Sequence, residues 1–223
     1  MRQNRASILL ALLRALVAAS ANPDRPRAPE AAAYLLMGRA AADARLLNRR
    51  LRSQGYPPAR NGLQWGGGGY GGVGGALFGG EGQGGGATGH NRRFETTYGA
   101  GSGSLNVARV VYGDQRMRLY PMVGIGGSGE GFSVAPHDEP FDAEAYPAAG
   151  NGGPTLRLGW GFEVRFRLFP NGGVLVGIHA GCLVTPLPFG WYGRGVGKDL
   201  PTARRIRPFV KLLIGGMIQN ANE

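Results

Sequence analysis

A single cysteine, Cys182, leaves this chain without an internal disulfide framework or a cysteine zinc cluster. It sits in Gly-Ile-His-Ala-Gly-Cys-Leu-Val, with no basic neighbour to activate a thiol, and reads as a small apolar strand residue. No segment holds 18 uncharged apolar residues, so no spanning helix is expected. Lysine occurs only at Lys198 and Lys211, so nearly all the positive charge is arginine. What is abundant is glycine, 42 of 223 residues, without the G-X-Y period of collagen. Apolar residues make up 43% and charged residues 17%, which is not the composition of a disordered chain.

The net charge of +11 is unevenly placed. Residues 1–60 hold 11 Arg against Asp24, Glu30 and Asp43. Such a stretch would attract nucleic acid, but arginine-only usage and an export-like start account for it, and no nucleic-acid partner is expected. Residues 1–21 read as a signal peptide. Arg2 and Arg5 precede an apolar stretch beginning at Ile8, and Ala19-Ser20-Ala21 is a small-residue cleavage site. Residues 22–32, rich in Pro, Arg and Ala, read as a linker, residues 33–218 as one β domain, and 219–223 as a tail.

The strongest pattern lies in residues 155–168. Leu156, Leu158, Trp160, Phe162, Val164, Phe166 and Leu168 alternate with Arg157, Gly159, Gly161, Glu163, Arg165 and Arg167. Period two places these sets on opposite faces of a strand. After the hairpin turn Phe169-Pro170-Asn171-Gly172-Gly173, Val174, Val176, Ile178, Ala180, Cys182 and Val184 oppose Gly177, His179 and Gly181. In the last strand Ile206, Val210, Leu212 and Ile214 oppose Arg207, Lys211 and Gly215. Further strands are expected at residues 34–38, 63–71, 76–86, 98–112 and 117–125, the last opposing Met117, Leu119, Val123 and Ile125 to Arg118, Tyr120, Met122 and Gly124. Between the first two, Asp43 as N-cap, Gly55 beyond the end, and Pro57 and Pro58 after it mark a helix of about three turns. Leu47 and Leu51 share one face of it, and Arg45, Arg49 and Arg52 another. A solvated charged face is the plain reading of these arginines.

The count is eight strands, with long connections after the first, third, fifth and seventh and short ones after the second, fourth and sixth. Alternating long and short connections and an even strand number are features of outer-membrane barrels. On these grounds the chain resembles small eight-stranded outer-membrane β-barrel proteins of bacteria. Tyr34-Leu-Leu-Met-Gly, Leu47-Asn48, Leu51, Gly55-Tyr56-Pro57, Gly66-Gly-Gly-Gly-Tyr70 and Gly79-Gly80-Glu81-Gly82 also look like a group of uncharacterised Gly-rich bacterial proteins. The resemblance implies an all-β fold: an eight-stranded antiparallel up-and-down barrel with one short helix in the first long loop, residing in the bacterial outer membrane.

Two orientations of that barrel are open. With the apolar face outward, Leu158, Trp160, Phe162, Val164, Val176, Ile178, Val210 and Leu212 meet outer-membrane lipid. Arg157, Glu163, Arg165, Arg167, His179, Arg207 and Lys211 then form a charge network in the lumen, Glu163 paired with Arg165 or a cross-strand base such as Lys211 or His179, and Glu81 a further acid. With the apolar face inward, the arginines lie in water, and the protein is a soluble periplasmic or secreted barrel.

Catalytic motifs are nearly absent. Gly67 to Gly72 matches a dinucleotide fingerprint, but no helix follows to receive a pyrophosphate. No G-x-S-x-G elbow exists, and His90, His137 and His179 lack metal-ligand spacing. Asp138, Glu139, Asp142 and Glu144 lack the spacing of a calcium loop. His179 has no Ser two residues away, as a lipid-modifying site would want. The expected function is non-enzymatic and cofactor-free, structural or surface-interacting, with contacts made by loops 131–153 and 185–205. A soluble barrel holding a small ligand and a lipid-modifying enzyme are the alternatives.

Overall fold

The computed structural model describes residues 29–40, 44–58, 62–114, 116–137, 146–187, 190–194 and 206–219. The signal-peptide reading, most of the linker, the acidic residues 138–144, residues 195–205 and nearly all the tail lie outside them. Among the described residues there are ten strands: β1 (Glu30–Ala40), β2 (Gln64–Val73), β3 (Ala76–His90), β4 (Phe94–Arg109), β5 (Tyr112–Gly113), β6 (Met117–Pro136), β7 (Ala148–Phe169), β8 (Gly172–Val184), β9 (Tyr192–Arg194) and β10 (Ile206–Gln219). One helix, α1 (Ala44–Ser53), lies between β1 and β2.

Eight of the strands close a barrel. Each of β1, β2, β3, β4, β6, β7, β8 and β10 pairs antiparallel with the next, and β1 pairs with β10, Tyr34 opposite Gly215 and Gly38 opposite Lys211. β5 and β9 are short additions on β6 and β7. Closure gives each of the eight barrel strands a neighbour on both sides and removes the exposed edges that invite aggregation.

Turn chemistry sets the short-turn end. Val73 pairs with Ala76 across Gly74 and Gly75, both at positive φ (61° and 86°), the conformation a two-residue hairpin demands. Phe169 pairs with Gly172 across Pro170-Asn171, with a register shift between Arg167 and Phe169.

Several strands are longer than the pattern suggests. β1 begins at Glu30, inside the expected linker, and β3 and β4 leave three residues, Asn91 to Arg93, where a long loop was expected. The expected loop 131–153 is strand at both ends, because β6 runs to Pro136 and β7 starts at Ala148. These extensions are mostly Gly, Ala, Ser and Thr, with Phe132 and Val134 the main apolar exceptions, so their alternation is weak. Pairing holds them: Gly84 faces Gly101, which faces Gly129, which faces Gly152. The result is a wall of β3, β4, β6 and β7 that stands higher than the rest of the rim.

The helix stands in the mouth beside this wall. Leu47 and Leu51 are buried against Tyr98, Phe132 and Val134 on its inner side. Gly55, at φ 79°, ends the helix in a left-handed residue as its C′ position predicts. The chain after it is fastened to the wall: the Thr96 hydroxyl donates to the Pro57 carbonyl at 2.9 Å, and Tyr56 stacks edge-on against Phe94.

Candidate functional site: the charged lumen and its mouth

Parity along each strand decides what the barrel encloses. On β7, Arg157, Glu163 and Arg165 point inward and are at most 3% exposed, while Leu158, Trp160 and Phe162 are 39–52% exposed on the outside. On β8 and β10, Val176, Ile178, Val210 and Leu212 are 42–58% exposed, and His179 and Lys211 are buried. Val164 shares the outward parity and is half-buried. Along β7, β8 and β10 burial is therefore inverted relative to a water-soluble domain, with charge inside and aliphatic and aromatic residues outside, although Leu36, Leu175, Leu213 and Met217 also pack inside the barrel.

Two carboxylates organise the lumen. Glu81 on β3 receives Arg157 of β7 and Lys211 of β10 in ion pairs, and its other oxygen lies 3.3 Å from His179 Nδ1. Arg157 and Lys211 also sit over the Phe209 ring, at 4.7 and 4.9 Å from its centroid. Glu163 accepts hydrogen bonds from the Tyr70 hydroxyl at 2.7 Å and from the Tyr120 hydroxyl. Arg165 donates to the Tyr70 hydroxyl at 2.7 Å and has Nε 3.6 Å from Glu163. It also donates to Glu30 at 3.0 Å, and Glu30 binds Arg118 in turn.

Tyr120 joins the two halves, with its hydroxyl 2.9 Å from His179 Nε2. Its one proton goes to Glu163, so Nε2 must carry the proton of the shared bond. Nδ1 is then bare in a neutral ring and accepts from Arg157 Nη2 at 3.3 Å. A second proton on Nδ1 would instead serve Glu81. One path of hydrogen bonds and ion pairs thus runs from Arg118 through Glu30, Arg165, Tyr70, Glu163, Tyr120 and His179 to Glu81. Nearer the mouth, Arg207 binds Ser128, and the Tyr98 hydroxyl donates to Glu130 at 2.5 Å.

Not every predicted site residue belongs here. Arg167 has inward parity but is exposed at the short-turn end, where β7 passes the rim, so it takes no part in the network. Lys211 pairs with Glu81 rather than Glu163, and His179 reaches Glu163 only through Tyr120. Glu30, Arg118, Tyr34, Tyr70, Tyr120 and Glu130 were not anticipated as site residues. Tyr70 had one signal, an isolated aromatic ring on a face of glycines, whereas Tyr120 shares a mixed face with Arg118, Met122 and Gly124 and had none.

Inward glycines make this density possible. A Cβ on Gly161 would overlap the Tyr120 ring. Gly161→Ala should push Tyr120 away from Glu163 and His179. Overpacking of this kind costs about 1–3 kcal/mol, so a clear drop in the thermal unfolding midpoint is expected. An unchanged midpoint would show that Tyr120 has another place to go.

Little space remains. The gap among Tyr34, Tyr70, Tyr120 and His179 is about 20 Å³, room for about one water. Among the described residues, no group of three or more His, Cys, Asp or Glu side chains is placed to hold a metal ion. No helix there is long and apolar enough to cross a membrane, which says nothing about crossing by strands.

No protein-family model matches the sequence, and no curated protein matches it. Solved structures of similar outline include surface protein A of Neisseria, at 11% identity, 88% of this chain, 100% of that one and a TM-score of 0.42. Another is Ail, the attachment invasion locus protein of Yersinia pestis, at 11% identity, 86% of this chain, 99% of that one and a TM-score of 0.41. A third is a major outer membrane protein from Thermus thermophilus, at 12% identity, 85% of this chain, 99% of that one and a TM-score of 0.43. Scores of this size mark a likeness of outline alone, and the eight-stranded barrel rests on this chain's own strand register.

Proposed function

We propose that the protein is a non-enzymatic β-barrel of the bacterial outer membrane, anchored by its apolar belt and acting through the residues of its mouth. The observation that carries this reading is the inverted burial: Glu163 is 0% exposed while Trp160, three residues away on the same strand, is 52% exposed. In water such an outer face would be a large adhesive apolar surface; against lipid it is the expected surface of a spanning barrel. The filled lumen supports a structural role over a channel or a ligand-holding barrel, since eight strands enclose only enough room for side chains. His179 is engaged by Tyr120, Arg157 and Glu81, with no serine or cysteine nucleophile among those contacts, which favours a binding role over catalysis.

The test is fractionation of cells expressing the full chain. The protein should stay with the membrane pellet through a urea wash and enter solution only with detergent. Recovery in the wash, or a monodisperse protein without detergent, would favour a soluble exported barrel.

A further inference from the structure

The outer face of the wall carries two grooves, one above the other. Below them lies the lipid-facing belt, and Leu105 on β4 and Ile125 on β6 are its uppermost large residues there, 70% and 63% exposed. Leu105 pairs with Ile125, and Ile125 with Leu156 of β7, so the three side chains form one ledge. Above the ledge an apolar groove of about 760 Å³ opens over Gly103, bounded by Pro154 and by Pro186 from the segment after β8. A second groove of about 510 Å³ lies higher on the same face. Gly99, Gly131 and Gly150, paired in one row across β4, β6 and β7, are its floor. Thr97, Ser133 and the exposed Tyr192 of β9 line it. Between the grooves the row Gly101, Gly129 and Gly152 presents only backbone. From the ledge to the upper groove, the outward positions of β4, β6 and β7 carry no charge, holding Gly and Pro and, at the top, Thr, Ser and Ala.

We propose that this face binds a glycolipid, its acyl chains in the lower groove and an uncharged sugar headgroup in the upper one. Both volumes fall in the range of small-ligand sites. The ledge is continuous with the belt, so hydrocarbon is what reaches the lower groove. Six residues of β4 separate Leu105 from Gly99, roughly 15 Å at a rise of ~3.3 Å and a tilt of ~40°. That distance carries a ligand from the hydrocarbon edge through the headgroup layer. Trp65 marks the same boundary. It is 60% exposed on β2 and pairs with Gly84, which pairs with Gly101 between the grooves; tryptophan is enriched at the membrane–water interface. A phosphate headgroup would want a cation, and among the described residues none faces outward between the grooves. A sugar ring presents C–H groups on its faces and hydroxyls on its rim. The first suit the Tyr192 ring, and the second suit Thr97 and Ser133, whose hydroxyls both donate and accept. A floor of glycine lets the ring lie close against the backbone.

The inference rests on the membrane reading, and the two fail separately. Recovery in the urea wash strikes both, whereas a protein that stays with the membrane and binds no glycolipid strikes this proposal alone. The full chain, purified in a sugar-free zwitterionic detergent, is titrated with digalactosyl diacylglycerol, and bound lipid is counted by native mass spectrometry. Binding should be about tenfold or more tighter than that of phosphatidylglycerol with the same acyl chains. G99L fills the upper groove and G103L the lower. A Cβ at Gly99 meets nothing within 4 Å, and one at Gly103 only a backbone carbonyl at 3.7 Å, so neither change disturbs the sheet. Each should weaken glycolipid binding about tenfold, and G99L should leave phosphatidylglycerol binding as it was. G71L, outward on β2 and away from both grooves, should bind as the parent does. Equal affinity for the two lipids, unchanged binding in G99L and G103L, equal loss in G71L, or no binding by the parent would overturn the proposal. So would a dimer in micelles that G99L and G103L both dissociate, which would give the face to a second copy of the chain.

Discussion

Glu81→Gln should be the most damaging conservative change in the lumen. It keeps the shape of the side chain and removes the charge that holds Arg157, Lys211 and His179 together. Breaking a buried ion pair by removing one partner costs about 3–5 kcal/mol, because the other charge stays buried without compensation. Here two cations are left so, each about 1–2% exposed. Water reaches them poorly, and the Phe209 ring face compensates only in part. Thermal unfolding in detergent should show the midpoint falling further than for Gly161→Ala. Adding Lys211→Met to Glu81→Gln should recover part of the loss, since it removes one of the orphaned charges, and such coupling is what a double-mutant cycle measures. A variant as stable as the parent, or a second change that only adds to the damage, would mean that the lumen is wet enough to solvate these cations.

Phe162→Arg should have a comparable effect for the opposite reason. Phe162 is 41% exposed at the middle of the outward face of β7, opposite Ile178 and Leu119 on its two neighbours. An arginine facing lipid near the bilayer midplane costs about 2–4 kcal/mol. Membrane assembly should drop sharply, whereas Leu168→Arg, near the rim of the same strand, should cost about 0–1 kcal/mol. Equal assembly of the two variants would remove the lipid-facing belt from the account. A soluble protein would show neither penalty, since both positions would then face water.

The outcome in the lumen depended on what each residue could signal locally. Arg157, Glu163, Arg165, His179 and Lys211 stood out because strong alternation in β7, β8 and β10 separates them from large apolar neighbours. Glu30 did not, because Glu-Ala-Ala-Ala following a Pro- and Arg-rich stretch has neither alternation nor β propensity. It becomes a strand only by pairing with β10 on one side and β2 on the other, from Glu30 opposite Gln219 onward. The upper part of β6 and the start of β7 were hidden for the same reason, since glycine, alanine and serine leave little face to read. Arg167 shows the converse: its parity was right, but parity does not say where along a strand the barrel ends.

By itself the sequence determined which residues share a face in the strongly alternating strands, where the hairpin turns at Gly74-Gly75 and Pro170-Asn171 fall, and that a short helix with Leu47 and Leu51 on one side follows the first strand. Those properties are local, set by the two-residue and 3.6-residue periods of the backbone and by glycines at the turn and helix end. Which face turns inward, which acid meets which base, and how high the wall rises were decided only by closure. Glu30 and Arg165 are 135 residues apart in the chain, and Glu81 and Lys211 are 130 apart. No local period carries such a pairing; the register of eight strands around a closed ring does.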